Sequence, residues 1–235
     1  MKPPKVARPV FLLDYDGTLA EIAPRPELAR PHPEVPRLLV ALARRHPVYL
    51  VTGRRVRDLE GLLGPLGIPV FGVHGAEEGV LGGGVQSRLG EEERSRVRAL
   101  FDRVPRIEGL WVEDKGAALA LHYRGAPDEG AVERALSELS RDLPPGVVAL
   151  WGKRVLELRP AAASKGAVAL EVARRHPHCT PVAIGDDRTD EEMFAALPHA
   201  VTIKVGPGPT SARYRLGGVE EVVRYLKQYV KDDEE

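Results

Sequence analysis

The chain alternates short apolar runs with stretches in which apolar residues recur every third or fourth position. Residues 10–13 (Val-Phe-Leu-Leu) and 48–51 (Val-Tyr-Leu-Val) are unbroken apolar runs, and 68–73, 181–185 and 200–205 are largely so. Runs of that length are the pattern of buried strands. Between them, Val35, Leu38, Leu39 and Leu42 predict a helix that ends near residues 44–46. Further helices are predicted over 56–63, 165–176 (with Ser164 as cap), 191–196 and 219–230. Strands and helices alternating at this spacing imply a parallel, doubly wound sheet. Residues 20–36 carry prolines at 24, 26, 31, 33 and 36 and are expected to be a stiff loop. The glycine-rich stretch 75–84 suits a hairpin and a boundary.

Between residues 91 and 159 the rhythm changes. A helix is predicted over 91–103, then strands over 110–114 and 117–123 with a tight turn at Lys115-Gly116. A second helix over 128–141, with Asp128 as N-cap, is followed by strands over 147–151 and 155–158 joined at Gly152-Lys153. The helix–strand–strand unit thus occurs twice, which predicts a four-stranded, mainly antiparallel sheet with two helices on one face. The expected fold class is α/β: a Rossmann-like doubly wound core formed by residues 1–85 and 163–235, with an inserted α+β domain over 86–162. Residues 231–235 read as a frayed acidic tail.

A chain of 235 residues can bury a sizeable core, and 43% hydrophobic with 29% charged residues is ordinary for a globular protein. Zero net charge gives no reason to expect a nucleic-acid or membrane-surface partner. The single cysteine, Cys179, excludes an internal disulfide and fits a reducing compartment. The first strand starts within ten residues of Met1, leaving no room for the apolar core of a signal peptide, so a cytoplasmic monomer acting on a small molecule is expected. Asn is absent and Pro abundant, which fits a heat-adapted source as well as GC-rich coding.

The candidate chemistry sits where strands end. Asp14 and Asp16 follow the first apolar run and precede Gly17. Two carboxylates at the end of a buried strand repel each other, and a hard divalent cation such as Mg²⁺ relieves that repulsion. Thr52 ends the second strand, Lys165 starts a helix, and Asp186, Asp187 and Asp190 follow another strand. All fall on the face where open α/β sheets bind ligands. Carboxylates bind Mg²⁺, while a lysine and a hydroxyl hold phosphate oxygens. The set suits in-line attack on phosphorus by an ionised Asp, giving an acyl-phosphate that water releases. Asp16 is placed to protonate the leaving oxygen and then deprotonate the water.

Asp14-Tyr-Asp16-Gly-Thr-Leu, Thr52, Lys165 and Gly185-Asp186-Asp187-x-x-Asp190 resemble, in order and in element, the four motifs of the haloacid dehalogenase superfamily. The resemblance implies Asp14 as nucleophile and Asp16 as general acid/base. It implies Mg²⁺ held by Asp14, the Asp16 backbone carbonyl and Asp186, with Asp187 or Asp190 supporting the metal from behind. Lys165 and Thr52 would stabilise the phosphoryl group. Residues 13–22, 51–54, 74–77, 112–116, 122–124, 156–160 and 185–191 resemble the trehalose-6-phosphate phosphatases within that superfamily. By that resemblance the inserted domain is a cap, and Glu113, Lys115 and Glu157 bind sugar hydroxyls from it. Gly53, Arg54, His74 and Arg124 join the expected substrate-contacting set. On the residues alone, Arg54 and Arg55 are equally a solvated helix start and His74 a core histidine. Glu113 with Lys115 and the outward-facing Glu157 also read as a solvated charged face, and Trp111 and Trp151 read as packing anchors. Competing activities are another sugar-phosphate phosphatase (sucrose 6-phosphate or mannosyl-3-phosphoglycerate), a phosphomutase, and a non-catalytic sugar-phosphate sensor.

Overall fold

A computed structural model describes residues 2–230; the acidic tail expected over 231–235 lies outside the described residues. In chain order the elements are β1 (Pro9–Leu13), α1 (Val35–Ala43), β2 (Val48–Val51), α2 (Val56–Leu63), β3 (Pro69–Gly72), β4 (Glu77–Val80) and β5 (Val85–Ser87). Next come α3 (Glu91–Arg98), β6 (Trp111–Asp114), β7 (Leu119–His122), α4 (Glu129–Arg141), β8 (Val147–Gly152) and β9 (Val155–Pro160). The chain closes with α5 (Lys165–Arg175), β10 (Thr180–Gly185), α6 (Asp190–Ala196), β11 (Val201–Val205), β12 (Tyr214–Leu216) and α7 (Val219–Lys227). Among the described residues no helix is long and apolar enough to cross a membrane.

The chain divides into two compact units, residues 1–86 with 164–235, and residues 87–163. In the first, eight strands are ordered β12-β11-β10-β1-β2-β3-β4-β5. Pairing from β12 through to β3 is parallel, and β4 turns back antiparallel on β3. β1 lies mid-sheet and is buried on both faces, which is why residues 9–13 carry no polar side chain. One face packs Phe11, Leu13, Leu50 and Ile203 against α1, α2 and α7. The other packs Leu12, Val51 and Ala183 against Val168 and Val172 of α5 and Phe194 of α6. Ser164 caps α5, its Oγ accepting from Gly166 and Ala167.

In the second unit, β6-β7-β9-β8 form an antiparallel sheet. Leu119, Leu121, Leu156 and Leu158 pack with Val97 and Leu100 and with Val132 and Leu136 of α4. Asp128 caps α4, accepting from Ala131 at 2.8 Å. The helix expected over 91–103 stops at Arg98 and resumes as a short 3-10 turn over Phe101–Arg103. The break lets Val97 and Leu100 both reach the core while Phe101 stays half exposed. The strand at 214–216 has no counterpart in the sequence pattern, because three residues are too short to be read without the neighbour they pair with.

Candidate active site

The first unit gathers its acids around one lysine. Lys165, at the first turn of α5, is fully buried, and its Nζ donates to Asp14 Oδ1 at 2.8 Å and Asp190 Oδ1 at 2.7 Å. Burial alone would disfavour the ammonium, but the charges of Asp14 and Asp190 outweigh it and hold Lys165 well above the usual lysine range. Asp190 Oδ2 accepts from the backbone N–H groups of Asp186 and Asp187, at 2.9 and 3.0 Å. One Asp190 oxygen therefore shapes the loop after β10 while the other accepts from Lys165. Asp187 Oδ1 closes the same loop, accepting from the backbone and hydroxyl of Thr189 and from the Asp190 N–H.

Carboxylate oxygens of Asp14, Asp186 and Asp190 lie within 4.8 Å of one another. Burial, and then the repulsion of Asp186 and Asp187 against the attraction of Lys165, pushes Asp14 up to about 7. Burial and the neighbouring Asp187 and Asp190 push Asp186 up to about 7 as well. The cluster is short of positive charge. Gly17 makes the close approach possible: it sits at φ +72°, and a Cβ there would lie 2.2 Å from Asp186 Oδ2. The Asp16 carbonyl takes no hydrogen bond from the described residues. Clustered hard oxygen donors with unrelieved repulsion fit a hard divalent cation.

Asp16 itself turns the other way. Arg54 donates to it from Nε at 2.7 Å and from a terminal nitrogen at 2.6 Å, a bidentate pair. The guanidinium also stacks over the Tyr15 ring at 5.4 Å. The Arg54 side chain is 11% exposed, so it is no solvated helix start; it holds Asp16. Thr52 is buried, and its Oγ1 accepts from the Arg54 N–H at 3.1 Å, which leaves its own proton to donate. Gly53 lies flat against the buried His74, where a Cβ would come within 2.8 Å of the ring. His74 sits in the left-handed region at φ 55°, with its N–H on the Thr52 carbonyl at 2.9 Å. Glu77 accepts from Val56 N–H at 2.9 Å and so fixes the start of α2.

The second unit carries its own charged row. Glu113, Ala120 and Glu157 are neighbours across β6, β7 and β9. Since Leu119 and Leu121 face the helices, strand alternation puts this row on the opposite face. Lys115 Nζ donates to Glu157 Oε2 at 3.3 Å, with both side chains nearly buried. His122 Nε2 donates to Glu113 Oε2 at 2.9 Å. Burial pushes the Glu113 carboxyl up, but the His122 hydrogen bond and the Lys115 charge outweigh it and hold the group below its usual value. Trp111 stacks on His122 with ring centres 4.0 Å apart and planes 9° from parallel.

The family model described as trehalose-phosphatase matches residues 12–219. The chain belongs to the trehalose-phosphatase family. It is 33% identical over 232 residues to the trehalose-6-phosphate phosphatase of Escherichia coli, covering 94% of this chain and 86% of that protein. It is 39% identical over 237 residues to the bifunctional trehalose-6-phosphate synthase/phosphatase of Thermoproteus tenax, covering 95% of this chain but 32% of that longer protein. Among solved structures, the C-terminal domain of the Candida albicans trehalose-6-phosphate phosphatase superposes with a TM-score of 0.82 at 25% identity, covering 95% of this chain and 92% of that one. A Bacteroides thetaiotaomicron phosphatase of the haloacid dehalogenase superfamily, 18% identical with a TM-score of 0.66 and covering 95% of this chain and 96% of that one, shares the fold. The chain is a phosphoric monoester hydrolase.

In this trehalose-phosphatase, Asp14, Lys165, Asp186, Asp187 and Asp190 come together in the first unit, with Asp16 and Thr52 joined through Arg54. Glu113, Lys115 and Glu157 come together in the second. Arg124 does not join them: it lies past the far end of β7, exposed, donating to the Lys153 carbonyl at 3.3 Å. The Arg54–Asp16 clamp spans 38 residues. No local pattern in the sequence signals it.

Proposed function

We propose that this chain hydrolyses trehalose 6-phosphate to trehalose and inorganic phosphate, through a phosphoryl group carried on Asp14 and with Mg²⁺ as cofactor. The observation that carries the reading is the buried Asp14–Lys165–Asp190 triad set against Asp186, with Asp16 two residues beyond the nucleophile. Asp14 attacks phosphorus in line; a bond forms from its carboxylate to phosphorus as the bond from phosphorus to the sugar oxygen breaks. Asp16 gives a proton to that leaving oxygen, then takes one from the water that attacks the acyl-phosphate and restores the Asp14 carboxylate. Lys165 and the Thr52 hydroxyl hold phosphoryl oxygens. Both Asp16 oxygens accept from Arg54, so Asp16 has to leave that pair to carry the proton. Asp14, the Asp16 carbonyl and Asp186 would hold Mg²⁺, which when bound supplies the positive charge that lets the anionic phosphoryl group approach a carboxylate. Asp190 and Asp187 act from behind, by shaping the loop that carries Asp186.

The second unit is, in this reading, a cap that closes during turnover and excludes water. Glu113, Lys115 and Glu157 bind sugar hydroxyls there, because charged side chains make strong, directional bonds to a polyol. The substrate assignment draws support from the relatives, whose names specify trehalose 6-phosphate. The chemistry is tested with Asp14→Asn and Asp16→Asn. Asp14→Asn is expected to fold and to release no phosphate from any ester. Asp16→Asn is expected to be phosphorylated by a substrate with a good leaving group, such as p-nitrophenyl phosphate, and to turn over slowly. Substantial turnover by Asp14→Asn overturns the nucleophile assignment.

A further inference from the structure

Lys204 is a second buried lysine beside the acidic cluster, and it lacks what Lys165 has. It lies on β11 in register with Gly185, the residue before Asp186, and is 6% exposed. Val201, Ile203 and Val205 face the core on one side of the sheet, so alternation turns Lys204 to the side of α5 and α6. There it makes no hydrogen bond or ion pair with any described residue. The charges acting with it are Asp186 and Glu191. Glu191 is held out of ion-pair reach: its Oε2 accepts from the backbone and hydroxyl of Ser211 at 2.8 and 2.6 Å, while its Oε1 is buried with no hydrogen-bond partner. Lys204 and the Glu191 Oε1 form no ion pair with each other, beside the loop that carries Asp186.

We infer that Lys204 is a positioning residue, a fixed positive charge beside Asp186 that loosens the grip of the Asp14/Asp186 pair on its divalent cation, and that Glu191 damps it. The inference rests on the cation reading of that cluster. The ammonium opposes a second positive charge at Asp186, and Glu191, tied to Ser211, offsets part of that opposition without neutralising it. The cation is thereby kept exchangeable although four carboxylates crowd the site.

The test is isothermal titration of Mg²⁺, and separately Mn²⁺, into the full chain and into Lys204→Met, Glu191→Gln and the double variant, with circular dichroism melts as a check on folding. Lys204→Met removes the charge at nearly constant volume and is expected to bind the cation on the order of fivefold more tightly. Glu191→Gln leaves Lys204 undamped and is expected to bind more weakly by a similar factor, with the double variant returning toward the parent. A purely structural role would weaken binding in both single variants. Equal or weaker binding by a folded Lys204→Met overturns the inference. Should that variant fail to fold, parent-like or tighter binding by Glu191→Gln overturns it instead. A parent protein that binds neither cation overturns the cation reading itself, and the inference with it.

Discussion

Asp186→Asn should stabilise the metal-free protein at alkaline pH while abolishing its response to cation. The Asp186 carboxyl is raised from 3.8 to about 7 by burial and by Asp187 and Asp190. A group whose folded value is raised contributes its stability below the unfolded value and loses it as pH rises through the folded one. At pH 8 the ionised carboxylate is therefore a burden on the metal-free fold. The full rise corresponds to about 4 kcal/mol. Asp14 is raised to about 7 alongside it and the two repel each other, so removing one charge relieves part of both. An expected gain of about 2 kcal/mol allows for that sharing and for residual solvation, and raises Tm by about 4–8 °C. Melts in excess chelator at pH 8 should show that gain, and melts at pH 4 should show almost none. Adding Mg²⁺ at pH 8 should raise the Tm of the parent and leave that of the variant unchanged. A variant that melts at or below the parent at pH 8 in chelator would refute the claim that like-charge repulsion is stored in this cluster.

Lys165→Met leaves Asp14 and Asp190 buried without their cation and should cost about 3–5 kcal/mol, read as a shift in the urea midpoint. Gly17→Ala forces a side chain into the left-handed region at φ +72° and onto Asp186. It should cost about 1–2 kcal/mol in a chelator melt and also lose the Mg²⁺-induced rise in Tm. Lys115→Met removes the ion pair with Glu157 and should raise KM for the sugar phosphate by more than it lowers kcat. An unchanged KM removes the cap residues from the substrate. Asp128→Ala removes the α4 cap and should cost about 1 kcal/mol in the melting of the second unit.

The parallel core was legible because its strands are buried on both faces: β1 and β2 are nearly unbroken apolar runs, and no polar alternation competes with that reading. The acids were legible for a related reason, since two carboxylates directly after an apolar run need an explanation. Helix caps at Ser164 and Asp128 were legible because they act within three residues. What stayed hidden depends on partners far along the chain. Arg54 has the spacing of a solvated helix start and only the fold brings it to Asp16. Glu77 fixes the start of α2 only because the fold brings Val56 N–H to it. Arg124 follows the His-Tyr pair in sequence, yet strand direction carries it away from Lys115. Lys204 reads as the polar position of an ordinary strand, and its burial appears only once α5 and α6 cover that face.

The central claim is that the chain releases phosphate from trehalose 6-phosphate because its second unit reads the whole disaccharide. The most direct measurement is phosphate release with Mg²⁺ across trehalose 6-phosphate, sucrose 6-phosphate, glucose 6-phosphate and mannosyl-3-phosphoglycerate, compared as kcat/KM. The account predicts a strong preference for trehalose 6-phosphate that Lys115→Met erodes. A flat profile, or a preference for another of the four, contradicts the substrate assignment and leaves only the phosphatase chemistry of Asp14 standing.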